Sequence, residues 1–225
     1  MSNEGKKLSG IKKAMAKQMI RSWTDVPQFQ LSTTICCDEL IQFRKELPTK
    51  ISYTAIIAKA VALALQEYPA INQHFDGELV QPVDEIAIGI ASDTKRGLLV
   101  PVIADVPEKS LATIQADLEK IKAQSQTGKF SLEELSGGTF TISNLGMFNV
   151  EQFSSIVNAP QIGILAIGKI TRAAIVTNED QLVAASVLHP VLTLDHRVAD
   201  GALGARFMTY LCELLEHPME KLPKG

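Results

Sequence analysis

From Ala55 to Leu65 the chain reads Ala-Ile-Ile-Ala-Lys-Ala-Val-Ala-Leu-Ala-Leu, and Lys59 is its only polar residue. A helix that is apolar on nearly every side cannot lie on a surface, so the fold has to enclose it. Ser52 suits the N-cap and Pro69 cannot continue the helix, so a core helix is expected over Ser52 to Tyr68. The run is shorter than the roughly 20 residues that span a bilayer, and no membrane segment is implied. With 225 residues, 46% of them apolar, the chain can bury an ordinary core as one large domain.

The rest of the pattern supplies what could wrap that helix. Leu8 to Trp23 places Ile11, Met15, Met19 and Ile20 on one stripe and Lys12, Lys13, Lys17 and Arg21 elsewhere, the spacing of a surface helix. Gln28 to Cys36 alternates Phe29, Leu31, Thr33 and Ile35 against polar neighbours, as a half-buried strand does. A short helix is expected over Glu39 to Glu46, an amphipathic one over Leu111 to Gln124, a short one after Ser131, and a closing helix over Gly201 to Glu216. Ile86 to Ala91 and Leu98 to Val106 read as a hairpin around the polar turn Ser92 to Gly97. Thr139 to Ser143, Gln161 to Ile170, Ala173 to Thr177 and Leu182 to Thr193 complete the strands. Helices early and strands late point to α+β with a mixed sheet. Met1 to Lys7 is polar, lacks an apolar signal region and reads as a flexible lead.

Charge and cysteines narrow the function. A net charge of -3 gives no broad basic face, which argues against nucleic-acid binding as the main activity. Three cysteines, two of them adjacent at Cys36 and Cys37, form no disulfide framework and have no metal-ligand spacing, so a reducing compartment and no metal are expected. Neither a phosphate-binding glycine loop nor a zinc pattern is present.

His196-Arg-Val-Ala-Asp-Gly201 is the stretch that carries chemistry. His74 lies in a polar loop, His189 stands alone before Pro190 and His217 ends a helix; His196 falls where a strand hands over to a helix, a place from which side chains are presented into sites. Imidazole changes charge near neutral pH, so His196 can take up and return a proton. Asp200, at the start of the closing helix, suits an N-cap. In Gly137-Gly-Thr-Phe-Thr-Ile-Ser143-Asn-Leu-Gly-Met-Phe148 a strand ends in a hydroxyl and an amide, and no Gly-x-Ser-x-Gly elbow marks Ser143 as a nucleophile.

The segment Thr193 to Phe207, with its His-x-x-x-Asp-Gly, resembles the dihydrolipoyl acyltransferases of 2-oxo acid dehydrogenase complexes within the wider chloramphenicol acetyltransferase-like group. Leu8 to Met19, Gly97 to Val102, Val157 to Gln161 and Ile164 to Gly168 are similar to further segments of that family, in the family's order. Lys12 stands where the family commonly has arginine, Gln28 where it often has histidine after the proline, and Asn149 where it often has glycine.

The resemblance implies a two-layer mixed sheet with helices and an acyltransferase working between a dihydrolipoyl thiol and coenzyme A as substrates, without a metal. It gives His196 the role of general base, Ser143 that of oxyanion donor, and Asp200 that of a loop organiser held in an ion pair. Arg44, Ser52, Asp93, Lys122, Ser143 and Asn144 match positions that contact coenzyme A. It also implies homotrimers with His196 and Ser143 contributed by neighbouring subunits, built up into a 24-mer or a 60-mer. The partners would be a 2-oxo acid decarboxylase and a dihydrolipoyl dehydrogenase, and the lipoyl group would ride on a separate domain absent from this chain. The place would be the bacterial cytoplasm, or else the mitochondrial matrix. Ser143 to Phe148 and Asn158 to Gln161 look more like acetyl enzymes, of pyruvate or acetoin complexes, than like succinyl or branched-chain ones. A stand-alone chloramphenicol-type acetyltransferase and an inactive structural core component are the alternatives.

Overall fold

The structure is a computed structural model and describes residues 7–177 and 179–223. All but Lys7 of the expected flexible lead lies outside the described residues. The helices are α1 (Gly10–Asp25), α2 (Asp38–Glu46), α3 (Tyr53–Glu67), α4 (Leu111–Ser125), α5 (Gly201–Glu216) and α6 (Pro218–Lys221). The strands are β1 (Gln28–Ser32), β2 (Ile35–Cys36), β3 (Gln73–Phe75), β4 (Val80–Pro82), β5 (Ile88–Ile90), β6 (Ser92–Thr94), β7 (Gly97–Leu99), β8 (Val102–Ile103), β9 (Phe140–Asn144), β10 (Gly163–Ile167), β11 (Thr171–Val176), β12 (Leu182–Leu188) and β13 (Val191–Asp195).

Six strands form the main sheet in the order β1-β13-β10-β9-β5-β8. β9 runs parallel to both β10 and β5 while the other pairs are antiparallel, so the sheet is mixed and the fold is α+β. A second sheet joins β11, β12 and β2. α3 is the enclosed helix its composition demands: Ala55 to Ala62 are all buried, Ser52 caps it through Ala55 N–H, and α4 and α5 pack beside it. Lys59, buried with the rest, donates its ammonium hydrogens to the carbonyls of Pro107 and Lys109, which satisfies the one charge inside the run.

The apolar face of the main sheet meets α5. A Cβ on Gly204 would lie 2.5 Å from Leu31 and 2.9 Å from Leu194, so this glycine sets how closely the helix sits on β1 and β13. The opposite face is polar along β1 and toward the end of β13. Gln28 and Gln30 stand across from Asp195 and Thr193, and the segment before β10 crosses over them, with Val157 N–H donating to Gln28 Oε1 and Gln152 Nε2 donating to Ser32 Oγ. Gln28 also donates to the Ser22 carbonyl, so the residue that replaces a frequent histidine ties α1 to that segment.

Most elements end within a few residues of expectation, and the larger differences have physical causes. The strand expected over Gln28 to Cys36 breaks after Ser32, and its two parts enter different sheets. The one expected over Leu182 to Thr193 breaks at His189 and Pro190, where proline has no N–H to give a ladder and His189 Nδ1 meets Thr34 Oγ1 instead. The polar turn Ser92 to Gly97 narrows to Lys95 and Arg96, because β6 and β7 pair inside the hairpin of β5 and β8. His74 is on a strand rather than in a loop, in the β3–β4 hairpin that turns at Asp76 and Gly77. On α1 the side chain of Ile11 lies outside the described residues, Met15 and Met19 are half-buried as expected, Ile20 is 67% exposed, and among the described side chains Ser22, whose hydroxyl donates to the Val157 carbonyl, is the buried position.

Candidate active site

β13 is buried along its whole length and carries the chain to Asp195, after which His196 emerges exposed. Two contacts hold His196: its N–H donates to the Pro27 carbonyl at 3.0 Å, and its ring lies 4.5 Å from that of Phe29. Among the described residues no hydrogen bond to its ring nitrogens is formed, which leaves both for other partners. Asp195 is 2% exposed, and its carboxylate accepts from Arg197 Nε at 3.0 Å and Nη2 at 2.7 Å. That hydrogen bonding pushes the Arg197 guanidinium above its ordinary pKa. Asp200 caps α5, with Oδ1 accepting from Leu203 N–H at 2.7 Å. The ion pair expected of Asp200 is not formed among the described residues; the carboxylate paired beside His196 is that of Asp195.

Ser143 lies near the end of β9, half-buried, with no hydrogen bond from its hydroxyl among the described residues. Asn144 follows and locks the turn: Oδ1 accepts from Gly146 N–H at 2.7 Å and Nδ2 donates to Thr54 Oγ1 at 3.0 Å. That second bond brings the start of α3 to this end of the sheet. Ser52 N–H there donates to Gln115 Oε1 at 2.9 Å, and Arg44 donates to the Ile51 carbonyl with its guanidinium 4.6 Å over the Tyr53 ring. Arg44, Ser52 and Asn144 are thus gathered around the start of α3, next to Ser143. Asp93 and Lys122 stand exposed on β6 and α4, which pack against each other at the same end. Among the described residues no hydrogen bond or ion pair joins either of them to the group.

Strand register separates His196 from Ser143. Ser143 is level with Ala166, and Ala166 with Val191. His196 follows Val191 by five positions. At roughly 3.4 Å per residue and two strand spacings of about 4.8 Å, the two are about 20 Å apart within one chain. Two groups acting on one carbonyl must each lie about 3 Å from the atoms they serve. One chain therefore holds the His196 imidazole at one end of the sheet and the Ser143 hydroxyl, beside the start of α3, at the other.

Sequence reasoning missed Asp195, Arg197, Phe75, Tyr53, Thr54 and Gln115. Phe75 lies under Arg197, whose guanidinium is 4.7 Å from the ring centre. The dipeptide Asp76-Gly77 was the available signal for the hairpin that places it. Beside that hairpin, a cleft of about 620 Å³ between α1 and the strands is lined by Met15, Met19, Leu98, His74 and Gln161. Among the described residues no group of three His, Cys, Asp or Glu is gathered as a metal ion would need, and no helix is long and apolar enough to cross a membrane.

Residues 2–222 match the model of the 2-oxoacid dehydrogenases acyltransferase (catalytic domain) family. The chain is 36% identical over 228 aligned positions to the dihydrolipoyllysine-residue acetyltransferase component of the pyruvate dehydrogenase complex of Staphylococcus epidermidis, covering 97% of this chain and 52% of that protein. It therefore spans about half the length of the curated relatives it matches. Among solved structures it resembles the dihydrolipoamide acetyltransferase of Azotobacter vinelandii, with a TM-score of 0.91, 29% identity and coverage of 99% of this chain and 95% of that one. That protein was studied for the role in catalysis of a serine, a histidine 52 positions later and an asparagine four positions after the histidine. The cubic core of a pyruvate dehydrogenase multienzyme complex is similar too, with a TM-score of 0.91, 30% identity and coverage of 99% and 95%. Chloramphenicol acetyltransferase, at a TM-score of 0.60, 16% identity and coverage of 94% and 100%, shares the fold.

Proposed function

Because the chain belongs to the catalytic-domain family of 2-oxoacid dehydrogenase acyltransferases, we propose that it moves an acetyl group between a dihydrolipoyl thiol and coenzyme A, with each active site completed by two copies of the chain. The observation that carries this reading is the pair of half-sites at opposite ends of one sheet, each with its reactive side chain unengaged. The spacing supports it as well: Ser143 precedes His196 by 53 positions and Asp200 follows by four, close to the serine, histidine and asparagine studied in the Azotobacter protein.

In this mechanism His196 removes the proton from the coenzyme A thiol, whose ordinary pKa near 8.5 leaves only a small thiolate fraction at pH 7. Ser143 of the neighbouring copy donates its hydroxyl hydrogen to the thioester oxygen as negative charge develops there. His196, now protonated, returns the proton to the lipoyl sulfur as it leaves. Arg44, beside Ser52 at the start of α3, supplies positive charge for the phosphates, and Asn144 fixes the turn that presents Ser143. Asp93 and Lys122 extend that binding face. Asp200 holds the start of α5.

Homotrimers with heterologous contacts bring a His196 end against a Ser143 end, and such trimers would build up further into a 24-mer or 60-mer; the likeness to a cubic multienzyme core supports assembly into a core, without fixing the number of copies. A 2-oxo acid decarboxylase and a dihydrolipoyl dehydrogenase would then be partners of the whole protein, with a lipoyl group on another domain, in the bacterial cytoplasm. A stand-alone acetyltransferase is the weaker reading, since the chloramphenicol enzyme shares only the fold. The test is an assay with free dihydrolipoamide and a panel of acyl-coenzyme A donors. Acetyl should be preferred, and His196→Ala should cost about 10²- to 10⁴-fold in turnover. Near-normal transfer by that variant, or no transfer to dihydrolipoamide by the unmodified chain, would refute the assignment.

A further inference from the structure

We propose that Asp195 and Arg197, the residues on either side of His196, form a clasp that aims the histidine, and that Arg197 is accordingly a positioning residue for acyl transfer. The proposal rests on the reading of His196 as the base and deepens it.

A carboxylate buried as deeply as that of Asp195 needs a partner, and its partner comes from two residues along the same chain. Oδ1 accepts from both the N–H and Nε of Arg197, each at 3.0 Å, and Oδ2 accepts from Nη2 at 2.7 Å. A bidentate pair between positions i and i+2 closes a ring that contains the backbone of the residue between them, and that residue is His196. The turn is finished by Val198 N–H and Ala199 N–H, both donating to the Asp195 carbonyl, at 3.2 and 3.0 Å.

The clasp is anchored from outside as well. Arg197 lies over Phe75, and Phe75 N–H donates to the Pro160 carbonyl at 2.8 Å, which fixes the β3–β4 hairpin against the segment that leads into β10. Among the described residues the imidazole has only the Phe29 ring beside it, so its direction follows from where the backbone puts it. Asp200 instead turns Oδ1 to the start of α5, where it accepts from Leu203 N–H. The Arg197 side chain is 31% exposed, so its guanidinium can be removed without opening the core.

The experiment compares R197Q, D195N, the D195N/R197Q double variant and H196A, with turnover and KM for acetyl-coenzyme A and dihydrolipoamide measured across pH. R197Q and D195N should each lose about 10²-fold in kcat, the scale of a misplacement near 1 Å, with KM values within about twofold of normal. The residual activity should keep the same pH limbs, since His196 still moves the proton. The double variant should be about as slow as the slower single one, because both break one clasp. Should R197Q lose its fold through the uncompensated carboxylate, the double variant, which carries neither charge, gives the same reading. A kcat within about threefold of normal in R197Q, a rise in KM at unchanged kcat, or losses that multiply in the double variant would overturn the clasp. An active H196A would refute the base assignment itself, whereas an inactive H196A beside a normal R197Q would refute only the clasp.

Discussion

Two inactive variants of this chain should repair each other. On the proposed mechanism His196→Ala removes the proton-transfer half of the site and Ser143→Ala the oxyanion half, and strand register puts these two residues about 20 Å apart in one chain. In a closed ring joined head to tail, each site takes its histidine from one copy and its serine from the next. In a random one-to-one mixture, a site is intact when the first copy carries Ser143→Ala and the second carries His196→Ala. Each condition holds half the time, so about a quarter of the sites are whole, and this fraction does not depend on the number of copies in the ring. Coexpression of the two variants in equal amounts, purification through a tag common to both so that no ring is selected, and the dihydrolipoamide assay would measure it. Each variant alone should fall at least about 10²-fold, so recovery to about a quarter of normal stands well clear of the background. Activity in the mixed oligomer no greater than the mean of the two single variants would show that His196 and Ser143 do not share a site across copies.

Arg44→Gln should raise KM for coenzyme A about tenfold with kcat within about twofold, as expected for a lost phosphate contact; a fall in kcat at unchanged KM would place Arg44 elsewhere in the mechanism. Burial pushes the Cys37 thiol from its ordinary 9.0 up to about 12. Below pH 9 the thiol is protonated in both folded and unfolded chains; above it the unfolded chain sheds the proton that the folded one keeps, so stability falls with rising pH. The unmodified chain should lose about 1.4 kcal/mol per pH unit in that window relative to Cys37→Ala, about 2 kcal/mol by pH 10.5, in urea titrations; parallel curves for the two would refute this. Gly168→Ala drives a methyl into the carbonyl of Glu151 and should cost about 3 kcal/mol, a fall of about 6 to 12 °C in Tm, whereas Gly204→Ala meets only the flexible ends of Leu31 and Leu194 and should cost less.

Where a segment's own composition decided its state, the sequence was readable. α3 follows from the lack of a polar side between Ala55 and Leu65, α5 begins and ends where Gly201 and Glu216 were expected to set it, and the mixed sheet follows from the order of elements. The breaks in β1–β2 and β12–β13 were harder, because alternation continues unbroken through Thr33 and Thr34 and only the pairing partners change. Pro190 was a signal for the second break. Of the candidate site residues, His196 and Asp200 were legible from residue type and position and Ser143 only through the family resemblance, while Asp195 and Arg197 were not: an acid and a base two apart on a chain are ordinary until burial of one makes the other indispensable. The same holds for Tyr53, Thr54 and Gln115, which reach Arg44, Asn144 and Ser52 only through packing of α3 and α4.

The central sheet also acts as a ruler. β9, β10 and β13 are held in a register with buried residues throughout β10 and β13, so the interval between the two half-sites is fixed by counting residues and not by loop conformation. Adding two residues to β13 would keep every side chain on its face yet slide His196 by about 7 Å, and adding one would turn Asp195 and Thr193 into the apolar layer under α5. Two-residue insertions in these three strands should therefore abolish activity in a chain that still assembles, while the connection from Leu145 to Ile162, which sets no distance between the half-sites, has room to vary in length away from its ties at Asn149, Val150, Gln152, Val157 and Pro160.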